Sequence, residues 1–313
     1  MSSRRPRILV VGSNNMDLVI RCPRLPAAGE TLFGRDFATI PGGKGGNQAV
    51  AAARLGAEAF MVGRVGADPF GEQLVADLER SGVNTRYVVR DNAAASGVAL
   101  ILVQETGQNS IVVAPGANGR CAPEDIDALG AELASFDALL VQLEIPIATV
   151  EHALARARAA GVLTVLDAGP ARELPPSLYQ HVDIISPNES EATALTGIEV
   201  RDEQSARRAA EELLARGARS AVMKLGEHGA LVVEEGRAEH VPGFSVEVVD
   251  TTAAGDAFTA ALAVALAEGL SLVEATRWAN GAGALAVTVH GAKPAMPTRA
   301  AVEQFLRERG AKS

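Results

Sequence analysis

The stretch GGNQAVAAARLGAEAFMVGRVG, residues 45–66, reads as two elements with one turn between them. Residues 45–56 are rich in alanine, the best helix former, and end on Gly56, the residue type most often found just past a helix C-terminus. Residues 57–66 are a mostly apolar run ended by Gly66, as in a strand buried on both faces. A helix that stops at glycine and feeds such a strand is a building unit of a parallel sheet. The pattern recurs outward in both directions. RILVVG (7–12) is a short apolar run ended by glycine, and GEQLVADLERSG (71–82) has helical spacing with a glycine stop. DALLVQLE (137–144), GVLTVLD (161–167), VDIISPN (182–188) and SAVMKLG (220–226) are further buried-strand candidates, most of them separated by helical stretches. TRAAVEQFLRER (298–309) reads as the last helix. The alternation predicts an α/β fold, a mostly parallel central sheet with helices on both faces.

Two segments break the rhythm. DLVIRCPRLPAAGETLFGRDFATI (17–40) and SGVALILVQETGQNSIVVAPGAN (96–118) carry strand and turn patterns without helices, with ETGQN (105–109) placed as a hairpin turn. They are expected to form a small β-sheet lid on a single domain spanning residues 1–313, since no linker, repeat or low-complexity tract marks a second one. Pairing the exposed edges of such a lid between two copies would hide them, which predicts a homodimer.

The totals set outer limits. A chain of 313 residues with 48% apolar composition suits one large α/β domain. A net charge of −9 leaves no basic footprint for nucleic acid, and 4% aromatic residues offer little surface for stacking bases. The basic start at 2–7 lacks an apolar region behind it long enough for a signal peptide. The longest apolar run, 257–267, is too short to span a bilayer. Cys22 and Cys121 form neither a metal-ligand spacing nor a disulfide framework. The expectation is a cytoplasmic protein without membrane or nucleic-acid partners.

Open parallel sheets bind ligands beyond the carboxyl ends of their strands. Polar residues collect there: Asn15 and Asp17 after the first strand, then Glu144, Asp167, Asn188, and Lys224 with Gly226. Strand ends meet water and carry polar residues for that reason too, but so many together favour a site. PGGKGGNQA (41–49) opens a helix with backbone N–H groups suited to an oxyanion or to sugar hydroxyls. It is not a P-loop, because Gly45 stands where Ser or Thr follows the lysine, and Gln48 spoils a dinucleotide fingerprint. NESE (188–191) has the capping-box pattern, and Glu191 is also a carboxylate suited to a hydrated Mg²⁺. In DTTAAGDAF (250–258), helix capping explains Asp256 but not the small residues before it. Amides of Ala253, Ala254 and Gly255 at a helix start would stabilise negative charge, and Asp256 beside them would accept a proton from an attacking hydroxyl.

PGGKGGNQA and DTTAAGD, with GSNNMD (12–17), PGAN (115–118), VQLEIP (141–146), GPARELP (169–175) and ISPNESEA (185–192), make the chain resemble the ribokinase-like carbohydrate kinase family from about Arg7 to about Leu306. The resemblance implies ATP-dependent phosphorylation of a sugar, most narrowly D-ribose at its 5-hydroxyl, with Mg²⁺ and a monovalent cation, K⁺. It implies that Asn15, Asp17, Gly43, Lys44, Asn47 and Glu144 hold the pentose, that Asp256 is the catalytic base, and that Ala253, Ala254 and Gly255 form the anion hole. Asn188 and Glu191 match the family's Asn-x-x-Glu element for Mg²⁺ and phosphate. Lys224, Gly226, Gly229, Gly255 and Asn280 fall where the family holds the nucleotide. Asp250 and Thr252, with carbonyls of Val289 and Gly291, correspond to the monovalent-cation site. Three departures stand out: Ala253 where many relatives have Gly, Ala295 where Ser is frequent, and LDAGPA in place of NPAPA, which introduces Asp167. A 2-deoxyribose, nucleoside or phosphosugar kinase is the near alternative, and a non-catalytic sugar-binding regulator the distant one.

Overall fold

The computed structural model describes residues 4–310; the first two residues of the basic start at 2–7 lie outside them. Thirteen strands occur among the described residues: β1 (Arg7–Val11), β2 (Asn15–Cys22), β3 (Asp36–Gly42), β4 (Glu58–Gly66), β5 (Asn84–Asp91), β6 (Gly97–Gln104), β7 (Asn109–Ala114), β8 (Ala138–Val141), β9 (Leu163–Asp167), β10 (Ile184–Ser186), β11 (Ser220–Lys224), β12 (Gly229–Glu234) and β13 (Arg237–Pro242). The helices are α1 (Lys44–Arg54), α2 (Pro69–Arg80), α3 (Pro123–Asp127), α4 (Ile147–Ala159), α5 (Pro176–Tyr179), α6 (Glu189–Thr196), α7 (Glu203–Ala215), α8 (Ala254–Ala267), α9 (Leu272–Ala286) and α10 (Arg299–Gly310).

Nine strands form one sheet in the order β13-β12-β11-β10-β9-β8-β1-β4-β5. From β11 across to β5 every pair is parallel. The core explains the apolar runs. Alternate residues of β1 point to opposite faces, so Leu9 and Val11 belong to the core cluster that includes Leu154 of α4 and Leu213 of α7, while Ile8 and Val10 belong to the one that includes Val50 of α1 and Leu262 of α8. A strand covered on both sides has no polar face to alternate with, which is why RILVV and ALLV are continuous hydrophobic stretches.

The sequence reading missed three strands, all at the sheet margins. β5 lies at one edge with a half-exposed pattern, and β12 and β13 form an antiparallel hairpin at the other. The edge strands β5 and β13 lose the double-sided burial that made the central ones legible, whereas β12 is buried over its first five residues but follows β11 through a short turn at 226–228 in place of a helix. β8 and β10 are also shorter than expected, because the chain leaves the sheet at Val141 and Ser186 and turns toward the site.

A second, four-stranded sheet has the order β3-β2-β6-β7. β2 pairs in parallel with β6, from Asn15 opposite Gly97 to Cys22 opposite Gln104, and each has an antiparallel outer neighbour. Asn15 and Asp17 therefore do not hang off the end of β1, as their spacing suggested, but begin this second sheet. Several of its apolar residues are uncovered: Phe37, Ile111 and Val112 are exposed, as is Phe33 in the loop leading into β3.

Candidate active site

The glycine-rich turn brings the start of α1 against the root of the small sheet. Gly43 caps α1 at φ 85°, and a β-carbon there would lie 2.6 Å from the Asn15 backbone nitrogen, so only glycine fits without strain. Gly42 meets Asp17 as closely: a β-carbon on it would come within 2.3 Å of Asp17 Oδ2. Glu144, just past β8, accepts the Lys44 backbone N–H at 3.1 Å and the Ser13 hydroxyl. Asn118 of the PGAN turn donates through Nδ2 to Asn15 Oδ1 at 2.8 Å, tying the second insertion to the first. Asn15, Asp17, Gly43, Lys44 and Glu144 are thus collected at one junction. Burial, with the nearby charge of Glu144, raises the Asp17 carboxyl to about 7, against the opposing charge of Lys293.

Asp256 sits in the first turn of α8 with 4% of its surface exposed. Its Oδ2 accepts Asn47 Nδ2 at 2.9 Å and its Oδ1 accepts Gln48 Nε2 at 3.0 Å. Lys44 Nζ lies 3.9 Å from Asp256 Oδ1 and 3.9 Å from Asp167 Oδ2. Burial opposes the Lys44 ammonium, but Asp256, Asp167, Glu144 and Glu191 outweigh it and raise the lysine above its usual range. Burial raises Asp256 above the usual carboxylate range too; Lys44 pulls against that and Asp167 adds to it.

Ala253, just before α8, has φ 59°, the only left-handed non-glycine among the described residues. That conformation costs an L-residue about 1–2 kcal/mol, and it opens the helix without a side-chain cap. Residues 253–256 line a cavity of about 800 Å³. Ala254 N–H makes a long bond, 3.3 Å, to the Thr251 carbonyl, so the helix start is only loosely satisfied from within. Lys44 and Asp256 line this cavity too, and the Lys44 backbone is bonded to Glu144 of the junction.

Asn188, Glu191, Lys224, Gly226, Gly229 and Asn280 line the same cavity. Asn188 and Glu191 complete the capping box, Glu191 N–H to Asn188 Oδ1 and Asn188 N–H to Glu191 Oε2, each 2.8 Å. Lys224 Nζ reaches Asp167 Oδ1 at 2.6 Å, and a β-carbon on Gly255 would stand 3.7 Å from that ammonium. Gly229 packs against the end of β13, where a β-carbon would be 2.2 Å from the Val241 carbonyl oxygen. Asn280 Nδ2 donates to the Val241 and Pro242 carbonyls at 3.0 and 3.1 Å, so it shapes the wall through the backbone.

The chain matches the model of the pfkB family of carbohydrate kinases over residues 5–299. The chain belongs to the pfkB carbohydrate kinases. This kinase is 42% identical to a ribokinase of Bacillus subtilis, over 96% of its own length and 99% of the relative's. It is 38% identical to a deoxyribokinase of Salmonella typhimurium, over 95% and 97%. Among solved structures, the ribokinase of Arabidopsis thaliana complexed with ribose and ATP superposes with a TM-score of 0.90 at 35% identity, covering 97% of the kinase and 99% of that chain.

The kinase's oxygen donors fit the two cations differently. The cavity offers Glu191 as a carboxylate beside Asn188, with no group of three His, Cys, Asp or Glu positioned for a metal among the described residues. That donor set suits Mg²⁺, which keeps its waters and takes phosphate oxygens. Asp250 Oδ1 accepts Thr252 N–H and its Oδ2 accepts Gly291 N–H, both at 2.9 Å, so the segments expected to hold K⁺ are tied together. Burial works against the Asp250 anion, but these bonds, with Thr252 foremost, lower it below the usual carboxylate range. A weakly hydrated cation suits that carboxylate and the surrounding carbonyls. Val289 is half exposed beside them. Ala295, buried, supplies no side-chain oxygen.

Sequence reading missed several residues of the kinase's site. Gln48 entered it only as a misfit to a dinucleotide motif, yet it touches Asp256 and, at 2.7 Å, Asp167. Its Oε1 accepts Gln142 Nε2 at 2.5 Å. The apolar wall of Phe244, Val246, Val248, Phe258 and Val287 was also unread; loop residues 244–248 carry no periodicity to mark them.

Proposed function

We propose that this kinase transfers the γ-phosphoryl group of ATP to the 5-hydroxyl of D-ribose, giving ADP and D-ribose 5-phosphate. One observation carries the reading. A buried carboxylate, Asp256, stands at an uncapped helix start, between an 800 Å³ cavity able to take a nucleotide and a cluster of carboxylates and amides able to grip vicinal hydroxyls.

Ribose lies against Asn15, Asp17, Gly43, Lys44, Asn47 and Glu144, whose amides and carboxylates accept and donate to its ring hydroxyls. The 5-hydroxyl faces Asp256. Burial raises this base's pKa, which brings its proton affinity closer to what general base catalysis near neutral pH asks for. Asn47 and Gln48 fix its orientation. As the hydroxyl attacks, Asp256 takes its proton, the bond from the γ-phosphorus to the bridging oxygen breaks, and ADP leaves with that oxygen. Amides of Ala253, Ala254 and Gly255, with the dipole of α8, stabilise charge on the transferring oxygens. Lys224, Gly226, Gly229, Gly255 and Asn280 frame the nucleotide. Mg²⁺ arriving with ATP would be held through water by Glu191, near Asn188, and would neutralise phosphate charge. K⁺ held by Asp250, Thr252 and the carbonyls of Val289 and Gly291 would support the loop leading into the anion hole.

The single α/β domain uses its small sheet as a lid, which excludes water from the transfer. Two copies pair through that sheet, covering its exposed apolar residues. We place the kinase in the cytoplasm, where ATP is supplied. Among the described residues no helix is long and apolar enough to cross a membrane.

The test is ADP release with Mg-ATP and potassium across D-ribose, 2-deoxyribose, adenosine, fructose and fructose 6-phosphate. Preference for D-ribose is expected. Preference for another acceptor would overturn the sugar assignment while keeping the phosphoryl-transfer machinery, and binding of sugar without ADP formation would overturn the enzyme reading.

A further inference from the structure

Asp167 has no part in the mechanism above, yet it is completely buried and sits between its two halves. It ends β9, in the position where the family resemblance leads one to expect the asparagine of NPAPA. Its Oδ1 takes the Lys224 ammonium at 2.6 Å, and its Oδ2 takes Gln48 Nε2 at 2.7 Å. The same Gln48 nitrogen donates to Asp256 Oδ1 at 3.0 Å. Gln142 occupies Gln48 Oε1, so the amide of Gln48 must turn both its hydrogens toward the carboxylates. The partner ammonium of Lys224 stands beside Gly255 at the entrance of α8.

We infer that Asp167 is a positioning residue for phosphoryl transfer: it anchors the Lys224 ammonium at the start of α8 and, through Gln48, sets the orientation of Asp256. One carboxylate thereby joins the side of the site that receives the phosphoryl group to the base that activates the acceptor. A counter-ion with no such role would need only to neutralise Lys224. It would not also share an oriented amide with the base. The inference rests on the reading of Asp256 as the base.

Charge makes the role measurable. The groups acting on Asp256 are Lys44 from α1, Asp167 from β9 and Asp17 from β2, with the neutral amides of Asn47 and Gln48 in contact. Lys224 of β11 and Glu144 act on it through Asp167 and Lys44. Asp167 raises the proton affinity of Asp256, whereas the Gln48 hydrogen bond lowers it. Removing the two residues must therefore move the base in opposite directions.

The experiment measures the single-turnover rate of phosphoryl transfer against pH, with saturating Mg-ATP, D-ribose and potassium. In Asp167→Asn the acid limb is expected to move down, because a like charge that raises the proton affinity of Asp256 is lost. The plateau rate is expected to fall about tenfold, more than KM for ribose changes, since orientation of the base is used in the transition state. In Gln48→Met, which removes no charge, the rate is expected to fall while the acid limb moves up. This second variant also serves if Asp167→Asn fails to fold around Lys224. Limbs that stay in place, or that move together, overturn the inference and leave Asp167 a structural counter-ion. Asp256→Asn is measured alongside. A near-wild-type rate there overturns the base reading itself; a large loss there with unmoved limbs in the other variants overturns only the role of Asp167.

Discussion

Asp256→Asn should depress turnover by orders of magnitude and at the same time stabilise the fold. The fold holds this carboxyl above the usual range, burial being the largest cause. A carboxyl raised in the native state binds its proton more tightly there than in the unfolded chain. Its ionisation therefore costs stability, and the loss sets in as pH rises from the unfolded pKa of about 4 through the higher folded value. At pH 7.5 the substitution removes that cost. Burial, the largest cause, outweighs the compensation from Lys44 and the two amides, so the substitution is a net gain in stability at this pH. The losses are small. Lys44 keeps Asp167 at 3.9 Å. Asn47 Oδ1 is buried without a partner, so its amide can turn to accept from the new one. The expected result is a melting temperature a few degrees above wild type in the absence of ligands, about 2 °C or more per kcal/mol. Turnover should fall about 10²–10⁴-fold, the usual contribution of a general base. Calorimetry and coupled ADP assays on the same preparation read both quantities. Turnover within tenfold of wild type would refute the base; a variant that melts several degrees lower would refute the electrostatic account of the site.

Asp17 should make ribose binding pH-dependent. Its carboxyl titrates at about 7, raised first by burial and then by Glu144, and only the ionised form accepts two sugar hydroxyls. Calorimetric affinity for ribose without nucleotide is expected to strengthen as pH rises through about 7, and Asp17→Asn should weaken binding and flatten the profile. Gly43→Ala should cost more than Gly82→Ala. Both glycines have φ near 84°, but only Gly43 faces backbone, 2.6 Å from the Asn15 nitrogen, while nothing lies within 4 Å of Gly82. Thermal melts should show Gly82→Ala losing about 1–2 kcal/mol for its left-handed backbone and Gly43→Ala losing clearly more, with a raised KM for ribose. Val112→Glu, on the open face of the small sheet, should give a monomer by light scattering at micromolar concentration; a wild-type monomer under the same conditions would remove the paired-lid assembly.

The central strands were legible because they are buried twice over. RILVV and ALLV leave no room for a polar face, and the helices between them end on glycines such as Gly56. β5 and β13 were not, because edge strands mix exposed and buried positions as loops do, and β12, though buried, follows β11 through a short turn rather than a helix. In the site, what could be read was chemistry attached to punctuation: Asp256 after small residues, Lys44 among glycines, Asn188 and Glu191 at helical spacing. What could not be read was direction. Asn15 and Asp17 sit where a strand end was expected but belong to a second sheet. Gln48 lies inside a helix, where its spacing says only that it faces the core, and nothing local reveals that two carboxylates from residues 167 and 256 converge on it.

The contact between Asn47 and Asp256 spans 209 positions of sequence. A nascent chain that has left the ribosome as far as β11 owns most of its sugar contacts and most of its sheet, yet has no base. Loop closures of this length come late, since their entropy is met only when neighbouring contacts already hold the ends close. Regained turnover after dilution from denaturant should therefore trail the recovery of helical and strand signals, and catalysis becomes a clock for the docking of the C-terminal helices onto α1.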